Sequence, residues 1–538
     1  MRCRKRCLML IVALTVNGVI GLRQTCLTAQ EVSQIVPPST TCQDPCRILV
    51  GPVVSEGQRP PRLAAAQPEA GAKPLPISLA TALRLAGARP LVIQAAEASV
   101  DEAAAILARA RVIWLPDVNI GGGYYRHDGA TQGQSGNFYI NTKDQALFGG
   151  GLTARVATTD ALFAPLAARQ VLQARQLNVQ AARNDALLLT AEAYFNLQQA
   201  RGRLAAAQDV VSRNLALSQV LDVASLSQQR PTDVRRAEAL LAAFEDNVAA
   251  AMEQWRLASA DLTQVLRLDP TAMAVPVEPP HLRVTLISPQ EPVDALIPIG
   301  LTNRPELASQ QALVQAALAR IKQERLRPLV PSLILEGSPG AAGPGGFLMG
   351  GVFGSGASGK GNPWVNREDV SAGLIWEMQN LGVGNRALVR ERRAQQEQAV
   401  VELFRLQDQV AAEVARAHAQ VQSAARRIAA AERGLTAAQS AYDGSREELG
   451  KVAKVGEVQV QVRRAFEVID ALRTLSSAYD TYFRSVNDYN AAQFRLYRAL
   501  GYAAGVLACE RALGPVLPVD TNRPPEMGPA CPTAECPK

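Results

Sequence analysis

Histidine is nearly missing from this chain of 538 residues: His127, His281 and His418 stand far apart and form no metal-ligand cluster. A nucleophile elbow and a phosphate loop are missing too. Gly121-Gly122-Gly123 and Gly149-Gly150-Gly151 flank alternating stretches, without the helix start that a phosphate site requires. These gaps argue against an enzyme, and no cofactor or resident metal is expected. Neither methionine nor histidine is enriched, so nothing points to a metal cargo. Beyond the first 20 residues no apolar run approaches the roughly 20 residues of a membrane-spanning helix. The net charge of +7 falls by four if Arg2, Arg4, Lys5 and Arg6 are removed, and the remainder is spread along the chain, so no nucleic-acid partner follows.

The N-terminus reads as an export signal over residues 1–29. Those four basic residues precede an apolar core from Leu8 to Ile20, broken only by Thr15, Asn17 and Gly18. Ala29 offers a processed end, although Leu27 is large for the small-residue pattern. Cys26 opens a lipidated alternative, for which Arg23-Gln24-Thr25 is a poor approach. Cys3 and Cys7 belong to the signal, and Cys26, Cys42, Cys46, Cys509, Cys531 and Cys536 lie at the ends. An oxidising compartment permits disulfides among these six, with the pairing open. A metal pair at Cys42 and Cys46 lacks a nearby histidine. Residues 30–76 form a Pro-rich, extended lead-in, 271–290 a linker, and 504–538 a tail containing Pro and Cys. An exported chain without a spanning helix enters a membrane only as β-strands, because lipid tolerates helices and closed barrels alone. That places it in an outer membrane.

The body of the chain is laid out twice, over 77–270 and 291–503. Arg89-Pro90 precedes an Ala-rich amphipathic run ending at Leu115-Pro116, and Arg304-Pro305 precedes one ending at Val330-Pro331; both Pro-to-Pro spacings are 26 residues. A β-hairpin and a long helical hairpin follow in each copy, the hairpins over about 116–158 and 331–378, the helices over about 165–268 and 385–501. In copy two, Val400, Leu403, Gln407, Val410, Val414, Ala417, Val421, Ala424, Ile428, Ala431, Leu435, Ala438 and Tyr442 alternate steps of 3 and 4, an unbroken heptad seam. Copy one has a shorter seam: Ala193, Leu197, Ala200, Leu204, Ala207 and Val211. Its first helix is expected from Pro165 to Gln229, on the order of 100 Å at about 1.5 Å per residue. It ends at the turn Gln228-Gln229-Arg230-Pro231-Thr232-Asp233, with Pro231 just inside the returning helix. The counterpart turn is Gly450-Lys451-Val452-Ala453-Lys454-Val455-Gly456, with Glu457 opening the return.

Val118, Ile120, Gly122 and Tyr124 alternate with Asn119, Gly121 and Gly123, and a second strand follows through Leu152, Ala154 and Val156. Copy two has Leu333 and Leu335, a glycine-rich loop from Gly337 to Gly361, then Val370, Ala372, Leu374 and Trp376. Strands of about 8 to 11 residues cross a bilayer when tilted. Four per chain cannot close a barrel, and open edges do not occur in lipid. Several chains must therefore pool their strands, and three would supply 12.

The order of these segments resembles the TolC family of outer-membrane efflux proteins, over roughly residues 77–503. The resemblance is carried by Ile77-Ser78-Leu79-Ala80-Thr81-Ala82-Leu83-Arg84-Leu85-Ala86, Arg89-Pro90, Arg109-Ala110-Arg111 and Leu115-Pro116. It continues through Arg230-Pro231-Thr232-Asp233-Val234-Arg235-Arg236-Ala237-Glu238-Ala239, then Asp488-Tyr489-Asn490-Ala491-Ala492-Gln493-Phe494 with Leu496 and Ala499-Leu500-Gly501. It implies a mainly α fold with a membrane β part: a homotrimer whose 12-stranded barrel in outer-membrane lipid continues into a helical periplasmic tunnel. Such a conduit docks a periplasmic adaptor (a membrane fusion protein) and an inner-membrane pump, and serves efflux or type I secretion. The tips Arg230, Pro231, Thr232, Asp233, Gly450, Lys454, Gly456 and Glu457 are then candidates for adaptor docking. Family members carry aspartates shortly after the second turn, and the matching positions here fall near Val462 and Ala465. Val462, Arg463 and Arg464 thus become the pore-entrance candidates, and an entrance poor in cation binding is expected. A non-conducting, envelope-spanning adaptor or scaffold of similar hairpins is the alternative.

Overall fold

The computed structural model describes residues 63–69, 71–88, 90–228, 231–337, 350–356, 365–367, 370–449, 451–455, 458–461 and 465–502. The six terminal cysteines, Arg89, Arg230, Gly450, Gly456, Glu457, Val462, Arg463 and Arg464 lie outside these residues.

Two long helices carry the architecture: α3 (Thr158–Gln228), of 71 residues, and α7 (Val383–Glu448), of 66. Each returns through a helix of half that length, α4 (Pro231–Leu266) and α8 (Ala465–Ala499). Shorter helices α2 (Leu91–Arg111) and α6 (Pro305–Leu326) lie against the other halves of α3 and α7. Because α3 packs on α4, α6 and α8 at once, Thr190, Tyr194, Phe195, Leu197, Gln198 and Leu204 are all buried around it. A helix buried on several sides shows no clean stripe, which explains the short seam of copy one. The copy-two seam is buried from Val410 through Tyr442 at every one of its positions; Val400, Leu403 and Gln407, above it, are only half-buried.

The first long helix starts at Thr158, seven residues ahead of the expected Pro165, which sits inside it. Proline inside a helix gives up its amide bond and crowds the carbonyl four residues back, so the turns ahead of it need other support. The extra turns are held by tertiary contacts: Thr158 Oγ1 donates to Pro331 O at 2.6 Å, and Asp160 accepts from Arg327 at 2.7 Å and Gln323 at 2.8 Å.

The lead-in and the linker are more ordered than their composition predicts. Strand β1 (Lys73–Ile77) pairs in parallel with β4 (Ala272–Pro276), and Ala66 is buried against the α3 core. Trp255 Nε1 donates to Ala274 O at 3.1 Å, and Ser259 Oγ accepts from Ala274 N at 2.7 Å, so α4 anchors the linker strand. Glu278 accepts from the amide of Leu79 at 2.9 Å and from the Tyr194 hydroxyl. Burial, then the Glu278 charge, pushes the Tyr194 hydroxyl far up, so it stays a donor.

Where α3 crosses α8 there is no room for a side chain at Gly202: an added Cβ would stand 2.7 Å from Phe483 Cδ1 and 2.9 Å from Pro280 Cβ. Gly202→Val is expected to lower stability by about 2 kcal/mol through overpacking between rigid partners. The heat-induced unfolding midpoint measures this, and a wild-type midpoint would mean that the crossing yields freely.

Candidate functional site

The membrane-facing part is one antiparallel sheet. Strands β2 (Asp117–Gln132) and β3 (Phe138–Val156) form a hairpin of 16 and 19 residues, longer than the 8 to 11 expected. Their excess lies beyond the apolar stretch, where Arg126 and Asp128 form an exposed ion pair at 2.7 Å. On its other side β3 pairs first with β5 (Ser332–Gly337) and then with β6 (Gly350–Gly356). These are matched in turn by β8 (Val370–Ile375) and β7 (Val365–Arg367). The expected glycine-rich loop therefore contains two strand segments, and the sheet has four lanes in chain order: β2, β3, β5 with β6, and β8 with β7.

Directly opposed residues of an antiparallel ladder share a face. One face carries Val118, Ile120, Tyr124, Ala154, Val156, Leu333, Leu335, Ala372 and Leu374; Asp117, Thr153, Arg155 and Gly373 lie on the other. On the β2 lane this face is bare, with Ile120 86% and Val118 69% exposed, whereas Ala154 and Val156 on β3 are buried against the chain. Among the described residues no helix is long and apolar enough to cross a membrane.

At the strand-to-helix end, Trp114, Leu329, Trp376, Met378, Leu381 and Val383 are all exposed. A charge cluster centred on the buried Arg304 joins α5 (Val293–Asn303), α6, α7 and α8 and reaches α3 through Asp185. Arg304, 4% exposed between α5 and α6, reaches Glu413 at 2.7 Å and Glu306 at 3.2 Å. Arg498 joins Asp185 at 2.7 Å, Glu413 at 3.1 Å and Glu306 at 3.2 Å. Burial pushes the Glu413 carboxyl up, but the Gln409 hydrogen bond and the Arg304 and Arg498 charges outweigh it and hold it below the ordinary glutamate range.

The closing signature has a structural task that its composition did not reveal. Asn490 and Gln493, one turn apart on α8, are both fully buried. Asn490 accepts from Val284 N at 2.9 Å and donates to Leu282 O at 2.8 Å. Gln493 accepts from Leu286 N at 3.1 Å and Ile287 N at 3.0 Å, and donates to Ile287 O at 3.0 Å. The two amides replace a partner strand for the inter-repeat linker. Among the histidines, His418 is buried with Nε2 2.8 Å from Glu291 O, and His281 is lowered by burial and by Arg283. Among the described residues no group of three His, Cys, Asp or Glu is placed to hold a metal.

The helical tips differ from one another. Between α3 and α4 only residues 229 and 230 intervene, and Pro231 is the first residue of α4, with Thr232 and Asp233 following. The second tip is not the tight turn expected at 450–456: β9 (Val452–Val455), which contains Lys454, pairs antiparallel with β10 (Val458–Gln461). The return helix consequently begins at Ala465, with Glu467 in its first turn and Asp470 three residues on. The expectation of an entrance poor in cation binding placed the acidic positions at Val462 and Ala465. The strands displace the helix start, and its first acidic positions are Glu467 and Asp470.

The fold thus combines an antiparallel sheet with an apolar face and two long helical hairpins. Residues 296–502 match the family model described as outer membrane efflux protein. Its fold is similar to that of a membrane protein from Pseudomonas aeruginosa (19% identity, 79% of this chain and 93% of that one, TM-score 0.62). It is also similar to the outer membrane protein VceC from Vibrio cholerae (16%, 79% and 96%, TM-score 0.59). The open-state MtrE outer membrane channel of Neisseria gonorrhoeae is a third (19%, 79% and 89%, TM-score 0.60). No match was found among curated protein sequences.

Proposed function

We propose that three copies of this chain pool their four-lane sheets into a closed 12-stranded barrel continued by a helical tunnel. The assembly acts as the passive outer-membrane conduit of a tripartite efflux or type I secretion system. The carrying observation is the sheet itself: an apolar face exposed at Val118 and Ile120, and outer lanes, β2 and β8 with β7, that take no further strand among the described residues. Closure in lipid requires other copies to satisfy those edges. Energy comes from an inner-membrane pump reached through a periplasmic adaptor, which would meet the tips around Arg230–Asp233 and Gly450–Glu457. The detergent-purified protein is expected to have the mass of a trimer and to form discrete, long-lived channels in planar bilayers. A soluble monomer or dimer without conductance would instead make it a periplasmic scaffold.

Glu467 and Asp470 offer a pair of carboxylates per copy at the start of α8, with Arg463 and Arg464 just before them. Rings of carboxylates in a narrow, low-dielectric mouth concentrate cations. Trivalent cations added on the periplasmic side are expected to block the channel, and Glu467→Gln/Asp470→Asn to weaken that block by about tenfold. Absence of block in the wild-type channel would return the entrance to Arg463 and Arg464.

A further inference from the structure

We propose that the groove between α3, α4 and α8 is a binding site on the inner wall of the conduit for an organic anion with a flat apolar body, held at its charge by Arg473. The proposal rests on the trimeric reading above. The helices stand side by side in the order α4, α3, α8, α7. The lead-in and the linker all pack on one face of this row. Tyr194 and Arg201 of α3 donate to Ile77 O and Pro276 O, and Trp255 and Ser259 of α4 hold Ala274. Asn490 and Gln493 of α8 hold residues 282–287, and His418 and Gln422 of α7 reach Glu291 O and Pro289 O. A conduit keeps its bore free, so the face that carries these segments looks outward and the opposite face lines the bore. At about 3.6 residues per turn, Glu192, Asn196, Gln199 and Arg203 fall on that opposite side of α3. There they meet α8 in one polar seam: Arg495 reaches Glu192 at 2.6 Å, and Asn487 donates to Gln199 at 2.7 Å and Asn196 at 2.9 Å. Being the inner members of the row, α3 and α8 keep this face uncovered when another copy packs against α4 or α7.

Just below that seam a groove of about 380 Å³ runs along α3 between α4 and α8. Its floor is apolar, with Ala207, Val210, Phe244 and Ala251, and Ala250 stands at its α4 rim. Ser476, Ser477 and Arg473 stand on the α8 side. The neighbouring cations are already engaged: Arg203 pairs with Asp480 and donates to Gln254 at 2.9 Å, and Arg484 pairs with the same Asp480. Arg473 is exposed and makes no ion pair with any described residue. Two cations on one carboxylate, and a third with none, leave this stretch of wall positive. A positive wall with a low-dielectric backing draws anions to it. The guanidinium and the two serine hydroxyls offer donors to a carboxylate or sulfonate, while the floor removes a flat hydrocarbon body from water. A few polar groups set over an apolar floor are the usual form of a small-molecule site.

The probe is naphthalenesulfonate, titrated into the nanodisc-reconstituted protein and followed by saturation-transfer NMR, with empty nanodiscs as the blank and the mass of the assembly checked first. Arg473→Gln removes the charge, and Ala250→Phe fills the groove without changing its charge. Each is expected to weaken binding about tenfold. Arg256→Gln removes a cation from the outer face, where Arg256 pairs with Glu69, and is expected to leave binding unchanged. In planar bilayers under a salt gradient, Arg473→Gln should move the reversal potential toward cation selectivity, and Arg256→Gln should not. A wild-type trimer that takes up none of the probe leaves the groove to a protein segment and overturns the proposal, as does undiminished binding in Arg473→Gln. Weakening by Arg473→Gln with Ala250→Phe unaffected makes this a charged wall without a groove site and overturns it too. Lost binding with an unmoved reversal potential overturns the placement in the bore. A mass other than a trimer overturns the conduit itself, an outcome separate from loss of the site in an intact trimer.

Discussion

Gln493→Leu is expected to lower stability by about 3 kcal/mol or more, the largest effect of any single replacement considered for this chain. The side chain is fully buried and serves three backbone groups of the linker, the amides of Leu286 and Ile287 and the carbonyl of Ile287. Leucine has similar volume and no polar atom, so packing is kept while three buried backbone groups lose their partner. Each unsatisfied group costs about 1–3 kcal/mol. The linker joins the two repeats, so its release should loosen α1 (Leu79–Ala88) and β1 along with it. Denaturation midpoints measure the loss, and hydrogen exchange at residues 282–287 should rise with it. Unchanged exchange there would mean that other groups hold the linker. Gln493→Glu separates the two parts of the role, because it keeps the acceptor for the amides but faces Ile287 O without a donor. An intermediate loss is expected.

Arg304→Met should cost about 3 kcal/mol, on a different physical basis. Arg304 is almost completely buried, and its removal leaves Glu306, Glu413 and Asp185 with Arg498 as their only cation in the cluster. Breaking a buried ion pair on one side strands the remaining charge in a poor solvent. The same cluster sets an acid limit. The Glu413 carboxyl is held below its ordinary range in the folded protein, so the unfolded chain binds its proton more readily. Its contribution is fully present above the ordinary glutamate pKa of about 4.3 and is lost as pH falls through the depressed folded value. In Arg304→Met one of the charges that depress Glu413 is gone, and acid unfolding should begin at higher pH than in the wild type. Identical acid midpoints in the two proteins would show that Arg498 and Gln409 alone set the Glu413 carboxyl.

The mainly helical character and the long helices were legible in the sequence. Each follows from local signals: proline spacing, heptad steps and alternation depend on residues within one or two turns of each other. What local signals cannot carry is partnership. The order of β1 and β4 comes from pairing between residues about 200 positions apart, and compositional bias toward proline hid it. The extra turns of α3 before Pro165 depend on Arg327, Gln323 and Pro331, all in the other repeat. Asn490 and Gln493 belong to the closing signature, but only the fold brings them to their partners in the linker.

The second tip shows the same division most plainly. A short run rich in valine beside glycines was read as a turn, and only the ladder between Val452–Val455 and Val458–Gln461 made it a hairpin. That ladder precedes α8, which starts at Ala465 with Glu467 in its first turn. The sequence by itself determined the mainly helical fold, because periodicity is a local property of the chain. The tertiary structure decided where the repeats lock together, which face of the sheet is bare and what stands at the tip, because burial and pairing join residues that the chain keeps far apart.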